Sequence, residues 1–341
     1  MELKKLLEER EISLKVIEKP TYNAKNAPGK EIITNDDGFT KSLLASAGFE
    51  NFHTVGIASL EAANSIAGKI SGGEVLGVGG GKALDVAKRV ASSKGQSLIL
   101  FPTAPSHDGL FSKNCSLYDE CRNSRISLPA KYPRKVIIPL HLWGASKSLR
   151  KAGMCDILSN LVALEDLSLA EMAGFPSNPY YREMSLRAVN RLSEMESDRD
   201  FAEALIYSGF SMEESSKYAS GSEHEAERLL ERFYGGKYLH GQLSGAGILI
   251  SAKIYSLYAK SLPEGLKFDP NTLFEDIAKR MEGRGILEYA LMPLKDPNFK
   301  PNILKEAKYV RPERYTLWNA VDSGEIDFRR VLGEILRDAC N

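Results

Sequence analysis

The chain lacks a net charge, clustered cysteine and long apolar runs, and each absence removes a class of function. Lys plus Arg and Asp plus Glu number 45 each in 341 residues. That balance argues against broad nucleic-acid binding and against an anionic-membrane surface, while leaving room for a local basic pocket. No stretch of about 18 apolar residues occurs, so no membrane insertion is expected. The opening segment MELKKLLEEREISLKVIEKP is charged throughout and has no apolar h-region, so it does not read as a signal peptide. Only four cysteines are present, Cys115, Cys121, Cys155 and Cys340, with no C-x-x-C pair. Four scattered thiols in so long a chain indicate a reduced, cytoplasmic protein and disfavour a Cys115–Cys121 disulfide. Neither an internal repeat nor a low-complexity segment is evident.

What is there is ordinary globular material, 43% hydrophobic and 26% charged. The length suits two domains at roughly 150 residues each. Short apolar runs at 31–34, 53–57, 75–78, 97–101 and 135–139 read as strands. Helical patterns at 38–47, 60–68 and 81–93 separate the first four. Strands alternating with helices mean βαβ units and a parallel sheet, whose ligands lie beyond the carboxyl ends of the strands. The stretch 113–133 reads as polar and irregular. After Ser146 long helical patterns dominate, at 147–173, 181–198, 201–212, 222–234, 242–259 and 270–281. The expected division is an α/β domain over 1–145 and an all-helical domain over 146–341.

The most informative feature is GVGGGKAL, Gly77 to Leu84, followed by Asp85. A strand runs into three contiguous glycines and then into a helix. Glycines let the backbone approach an anion, and the helix N-terminus adds free N–H groups and the positive end of its dipole. The pattern is neither G-x-G-x-x-G nor a P-loop, since no G-K-[ST] closes it. The competing reading is a tight strand-to-helix turn with no ligand. Pro102 to Gly109, PTAPSHDG, lies at the same expected sheet edge.

Three ligand-type residues stand out in the helical half: Asp156 in AGMCDILSN, His224 in SGSEH and His240 in YLHGQ. The chain has only five histidines, and these two begin helices one helix length apart. Two histidines and a carboxylate leave an open position, as catalytic Zn²⁺ or Fe²⁺ requires. Such an ion would polarise a substrate oxygen as a Lewis acid. Taken singly, each residue also reads as structural: a capping aspartate and two core or surface histidines. His53 and His141 read as structural, and Glu223 as a first-turn helix acid.

In their order, GVGGGKALDVAK, PTAPSHDG, AGMCDILSN, SGSEH and LHG resemble the sn-glycerol-1-phosphate dehydrogenase family, within the iron-containing alcohol dehydrogenase and dehydroquinate synthase superfamily. PTAPSHDG is the most specific of them. The resemblance implies a Rossmann-like N-terminal domain, an all-helical C-terminal domain, a dehydroquinate synthase-like fold, and an active site between the two. It implies NAD or NADP as cofactor, Zn²⁺ (or Fe²⁺) as metal, a phosphorylated triol or ketone as substrate, and a homo-oligomer. Residue by residue, Gly79, Gly80, Gly81, Lys82 and Asp85 correspond to the pyrophosphate turn, and Thr103 and Ser106 to cofactor contacts. Asp36 or Asp37 corresponds to the adenosine region. Ser112 and Ser116 fall in a serine-containing loop beside the cofactor. Asp108 corresponds to an aspartate between nicotinamide and substrate, for which a plain Asp-Gly turn is the alternative. Asp156, His224 and His240 correspond to the metal ligands, and His107 lines the same region.

Three stretches depart from the family pattern: Lys113 stands where proline is usual, Pro139 to Trp143 lacks an aspartate, and Ser148 to Lys151 replaces an Ala-Pro step. The expected reaction interconverts dihydroxyacetone phosphate and sn-glycerol 1-phosphate. Rivals are a glycerol or small-polyol dehydrogenase, a dehydroquinate synthase-like lyase that recycles its NAD, and a non-catalytic nucleotide-binding relative. Lys113, Arg122 and Arg125 are candidates for the substrate phosphate, with solvated loop charges the favoured reading. An acidic residue at the ribose favours NADH, because a 2′-phosphate would meet like charge.

Overall fold

The computed structural model describes residues 2–19, 30–122 and 124–339. It divides into two units, Met1–Arg150 with Ser197–Gly209, and Lys151–Glu196 with Phe210–Asn341.

The first unit contains β1 (Ser13–Ile17), β2 (Lys30–Asn35), β3 (His53–Val55), β4 (Glu74–Gly79), β5 (Leu98–Pro102), β6 (Asn114–Asp119), β7 (Ser124–Pro129) and β8 (Lys135–Pro139). Helices α1 (Leu3–Glu9), α2 (Gly38–Ser46), α3 (Leu60–Lys69), α4 (Gly81–Lys94) and α5 (Leu140–Trp143) accompany them. Six strands form one parallel sheet in the order β1-β8-β5-β4-β2-β3. All five residues of β5 are buried, and so are the last five of β4, as suits inner strands covered on both faces. Ile32, Leu76, Val78, Ile99 and Phe101 pack with Leu44 of α2 into one apolar cluster. Asp37 caps α2 by accepting the Thr40 N–H at 2.8 Å, and Ser59 caps α3 through Ala62 at 3.0 Å. By contrast, α4 starts at Gly80 with no side-chain cap.

Two stretches differ from the sequence reading. Residues 113–133 are not irregular, for β6 and β7 pair there as an antiparallel hairpin. Cys115 and Leu117 point inward while Asn114, Ser116 and Tyr118 are half-buried, and polar outward positions disguise this period-two pattern. At 13–17, where no strand is expected, β1 pairs with β8 at the sheet edge, with only Ile17 buried.

Helices α6 (Lys147–Met172) and α7 (Pro179–Ser193) precede α8 (Asp198–Ser211). Most of α8 belongs to the first unit although it follows α6 and α7 of the second in the chain. Phe201 stands edge-on to Trp143 at 6.2 Å, and Asp198 forms an ion pair with Arg150. The second unit continues with α9 (Ser222–Tyr234), α10 (His240–Leu257), α11 (Pro270–Gly283), α12 (Leu287–Leu291), α13 (Leu317–Ala320) and α14 (Phe328–Asp338). Among the described residues it has no strand. α10 is buried from Gly241 to Tyr255, so it is the central helix of this unit. No helix among the described residues is long and apolar enough to cross a membrane. Cys115, Cys121 and Cys155 are free, and burial pushes the Cys115 thiol up to about 12. Cys340 lies outside the described residues.

Candidate functional site

The glycine turn sits at the carboxyl end of β4, as the sequence pattern predicts. Gly79 has φ +139°, a conformation that side-chain-bearing residues rarely adopt. The Thr103 N–H donates to the Gly79 carbonyl at 3.0 Å, which stitches the PTAPSHDG loop to the turn. Asn35, at the end of β2, accepts the Ala83 N–H at 3.0 Å through its side-chain Oδ1. One amide of the first turn of α4 is thereby satisfied by the protein. Asn35 escaped the sequence reading because its partner is 48 positions away. Lys82 is exposed at the helix start.

Gly80 separates a ligand role from a structural one. A Cβ there would meet only the Asn35 side chain at 3.5 Å and the Ser106 hydroxyl at 3.9 Å, ordinary contact distances, and φ is −87°. Gly80→Val is therefore expected to fold normally while losing NADH affinity, because the branched side chain occupies the approach to the turn. Titration calorimetry and a melting curve check this; unchanged affinity in the folded variant removes the turn from cofactor binding.

The remaining loop residues brace one another. Asp85 Oδ2 accepts the Ser116 N–H at 3.2 Å, and Ser112 Oγ accepts the Asn114 N–H at 3.0 Å. Lys88, fully buried, donates to the carbonyls of Gly109 and Asn114, the latter at 3.0 Å, and lies 3.6 Å from Asp85. It ties α4 to the Asp108 loop. His107 Nδ1 accepts the Gly109 N–H at 3.0 Å, so the local turn is capped by His107 rather than by Asp108. The Asp108 carboxylate is buried and accepts from Ser208 Oγ of α8 at 2.6 Å. Asp37 carries out the α2 cap, and Asp36 is half-exposed beside Lys41. Arg122 is exposed and pairs with Asp119 at 3.5 Å, which fits a solvated loop charge. His53 lies 3.5 Å from Glu31, and His141 lies 3.3 Å from the Ile17 carbonyl.

In the second unit, Asp156, His224 and His240 bring one ligand atom each to within 4.8 Å of one another. They come from α6, α9 and α10, and glycines set how closely these helices meet. A Cβ on Gly241 would lie 2.1 Å from the Ala152 carbonyl oxygen of α6, and one on Gly247 2.1 Å from the Glu223 carbonyl oxygen of α9. Only glycine allows α10 to rest on both backbones. Ser159 Oγ donates to the Ala219 carbonyl at 3.0 Å, which fixes α6 to the approach to α9. Asp166 then accepts the Ser222 N–H at 2.5 Å, the Tyr255 hydroxyl at 2.7 Å and the Leu317 N–H at 2.8 Å, anchoring the start of α9. Burial, with the charge of Glu223, raises the Asp166 carboxyl to about 7 against those bonds.

The orientation of the imidazoles is set from behind. His224 Nδ1 lies 2.8 Å from Glu223 Oε1, and His240 Nδ1 lies 2.9 Å from Glu227 Oε1. Both carboxylates are buried. Glu223 is thus more than a first-turn acid: it holds His224 and also accepts the Gly221 N–H at 2.7 Å. Glu227 went unnoticed in the sequence because nothing local links it to His240, 13 positions on. With Nδ1 of each ring committed to its glutamate, Nε2 of each faces Asp156 Oδ1, at 3.5 Å from His224 and 3.4 Å from His240. Two nitrogen donors of fixed tautomer and one carboxylate oxygen suit a zinc-like or ferrous ion.

The electrostatics are those of a cation site. Burial alone would raise Asp156, but its bonds to His224 and His240 hold it well below the usual carboxylate range. Burial alone would lower His240, but the Glu227 charge and the Asp156 bond carry it well above the ordinary imidazole value. His224 moves the same way through Asp156 and Glu223. Binding a divalent ion here displaces the protons these rings otherwise attract, so affinity rises with pH.

A family model described as iron-containing alcohol dehydrogenase matches residues 38–144. The chain is 34% identical to the glycerol-1-phosphate dehydrogenase [NAD(P)+] of Thermococcus sibiricus, over 71% of this chain and 68% of that one. It is 31% identical to the enzyme of the same name from Sulfurisphaera tokodaii, over 77% and 75%. The chain belongs to the glycerol-1-phosphate dehydrogenase family. The crystal structure of a probable glycerol dehydrogenase from Sinorhizobium meliloti superposes with a TM-score of 0.69 over 96% of both chains, at 18% identity, and so shares the fold. Within this glycerol-1-phosphate dehydrogenase family member, Gly79, Gly80, Gly81, Thr103 and Ser106 cluster at the end of β4. Asp85, Ser112 and Ser116 brace the neighbouring loop, and Asp156, His224 and His240 form the second cluster.

Proposed function

We propose that this family member interconverts dihydroxyacetone phosphate and sn-glycerol 1-phosphate with NADH or NADPH, using one divalent ion, most suitably Zn²⁺, held by Asp156, His224 and His240. The observation that carries the reading is the convergence of two Nε2 atoms of fixed tautomer on Asp156 in a chain of this family. When bound, the dinucleotide supplies the hydride and the ion a Lewis acid for the substrate oxygens. Zinc fits because nitrogen and carboxylate donors suit it and no electron passes through the metal.

The chain's own residues do the rest. The amides at the start of α4 and the open glycine turn receive the pyrophosphate. In the reducing direction C2 of the substrate gains a hydride and its oxygen a proton, and Asp108 handles that proton. Ser208 donates to Oδ2 and holds the carboxylate in place to exchange a proton with the substrate oxygen. Glu223 and Glu227 keep both imidazoles aimed through the cycle. The free thiols of Cys115, Cys121 and Cys155 support a cytoplasmic location.

Competing substrates test the reading. Dihydroxyacetone phosphate is expected to exceed unphosphorylated dihydroxyacetone in kcat/KM by at least about 10-fold, the value of one charge-assisted hydrogen bond to the phosphate. Equal or better turnover of the unphosphorylated ketone makes the protein a polyol dehydrogenase; no net NADH consumption with either makes it a lyase or a non-catalytic relative.

A further inference from the structure

His240 is the first residue of α10, and no side chain caps that helix. The turn before it, 235–239, opens with Gly235 at φ +57° and Gly236 at φ +87°. Glycine takes such conformations readily, and others as readily, so the turn does not by itself fix where α10 starts. Glu227 orients the imidazole through Nδ1 at 2.9 Å, but one bond to the ring does not hold the backbone beneath it. That backbone is held from the segment 289–299. Asp296 Oδ2 accepts from the Tyr238 hydroxyl at 3.0 Å and from the Lys237 ammonium. Asp296 Oδ1 accepts the Asn298 N–H at 3.0 Å, which ties the carboxylate to its own loop. The Tyr234 hydroxyl donates to the Pro293 carbonyl, and Phe299 stacks on the Tyr234 ring with centroids 6.3 Å apart. On the helix side Gln242, two residues past His240, donates Nε2 to the Tyr289 carbonyl at 2.9 Å. The segment thus grips the chain before and after His240, and the Asp296 side chain, 2% exposed, is the centre of the grip on the turn.

We propose that Asp296 is a positioning residue for the metal site, pinning the turn 235–239 so that His240 Nε2 is held at its working distance from Asp156. The inference rests on the assignment of Asp156, His224 and His240 to a divalent ion. A ligand set works only when its atoms are held to within about 0.5 Å, and that demands a fixed backbone as well as a fixed ring. Glu227 supplies the second constraint and Asp296 the first. Asp296 is not itself a ligand: donors from Lys237, Tyr238 and Asn298 occupy both its oxygens, and it is absent from the cluster whose ligand atoms lie within 4.8 Å of one another. As a salt bridge alone the contact adds little to stability, because the Lys237 side chain is half-exposed. Its weight lies in its place, three residues before the ligand.

The test is titration of the full-length, chelator-stripped protein with Co²⁺, which takes zinc-type nitrogen and oxygen ligands and whose visible absorption reports their geometry. The native chain is compared with Asp296→Ala and with the double variant Lys237→Met, Tyr238→Phe. The double variant strips the donors from the turn and leaves the bond from Asn298 to Asp296 intact, so it decides the matter if Asp296→Ala fails to fold. Both are expected to raise the Co²⁺ Kd by about 10-fold, the lower end of the cost of losing an outer partner of a metal ligand, and to shift the absorption band. NADH affinity, read on the first unit, stays at the native value. A Co²⁺ Kd within about 2-fold of native with an unchanged band in a folded variant, whatever its melting temperature, makes Asp296 a purely structural residue and overturns the proposal, being below the roughly 10-fold that an outer partner contributes. Failure of the native protein to bind Co²⁺, or binding that His240→Ala leaves untouched, overturns the metal assignment and this proposal with it.

Discussion

His240→Ala is expected to lose its divalent ion while still binding NADH. One of three donors disappears, and with it the ring that Glu227 orients. Removing only an outer partner of a metal ligand costs about 10–100-fold in affinity, so removing the ligand itself should cost more. The surrounding helices have reason to survive, because His240 is half-exposed and opens the first turn of α10 rather than its core. One secondary effect is foreseeable: Glu227, buried, loses its partner and becomes an uncompensated charge. Adding Glu227→Gln should restore the melting temperature of His240→Ala without restoring metal, which separates a ligand from a stabilising residue. Elemental analysis reads the metal and titration with NADH reads the first unit. Stoichiometric metal with normal turnover in His240→Ala would mean that the histidine only fills space.

Asp108→Asn is expected to fold like the native chain and to lose roughly 10²-fold or more in turnover, the lower range for a positioned acid–base group. The amide oxygen of asparagine can still accept from Ser208 Oγ, so the substitution removes the charge and the proton affinity but not the tether to α8. A turn role predicts the opposite, since asparagine replaces aspartate well in Asp-Gly turns. The local cap already belongs to His107, which further weakens the turn explanation. Steady-state kinetics with dihydroxyacetone phosphate, beside a melting curve, separates the two. Native kinetics in the folded variant would take Asp108 out of the mechanism.

Much of this was legible in the sequence, for identifiable reasons. The strands β2, β4, β5 and β8 are short apolar runs between turn signals, and the glycine turn combines a composition with a spacing. Asp156, His224 and His240 stand out because histidines are few and two of them begin helices. What escaped depends on contacts across the chain. Asn35, Lys88, Ser208 and Glu227 are ordinary polar residues until the fold supplies their partners 48, 21, 100 and 13 positions away. The β6–β7 hairpin was hidden because its outward residues are polar, and β1 because an edge strand needs little apolar surface. The return of α8 to the first unit has no local signal at all, yet it sets Ser208 against Asp108.

The most direct measurement follows NADH absorbance with dihydroxyacetone phosphate as the only other substrate, before chelation, after it, and after Zn²⁺ is restored. The expected result is net NADH oxidation that stops on chelation, returns with Zn²⁺ and yields sn-glycerol 1-phosphate. Oxidation that continues at the same rate in metal-free protein, or none at all in metal-loaded protein, would contradict the assignment of Asp156, His224 and His240 to a catalytic metal in a glycerol-1-phosphate dehydrogenase reaction.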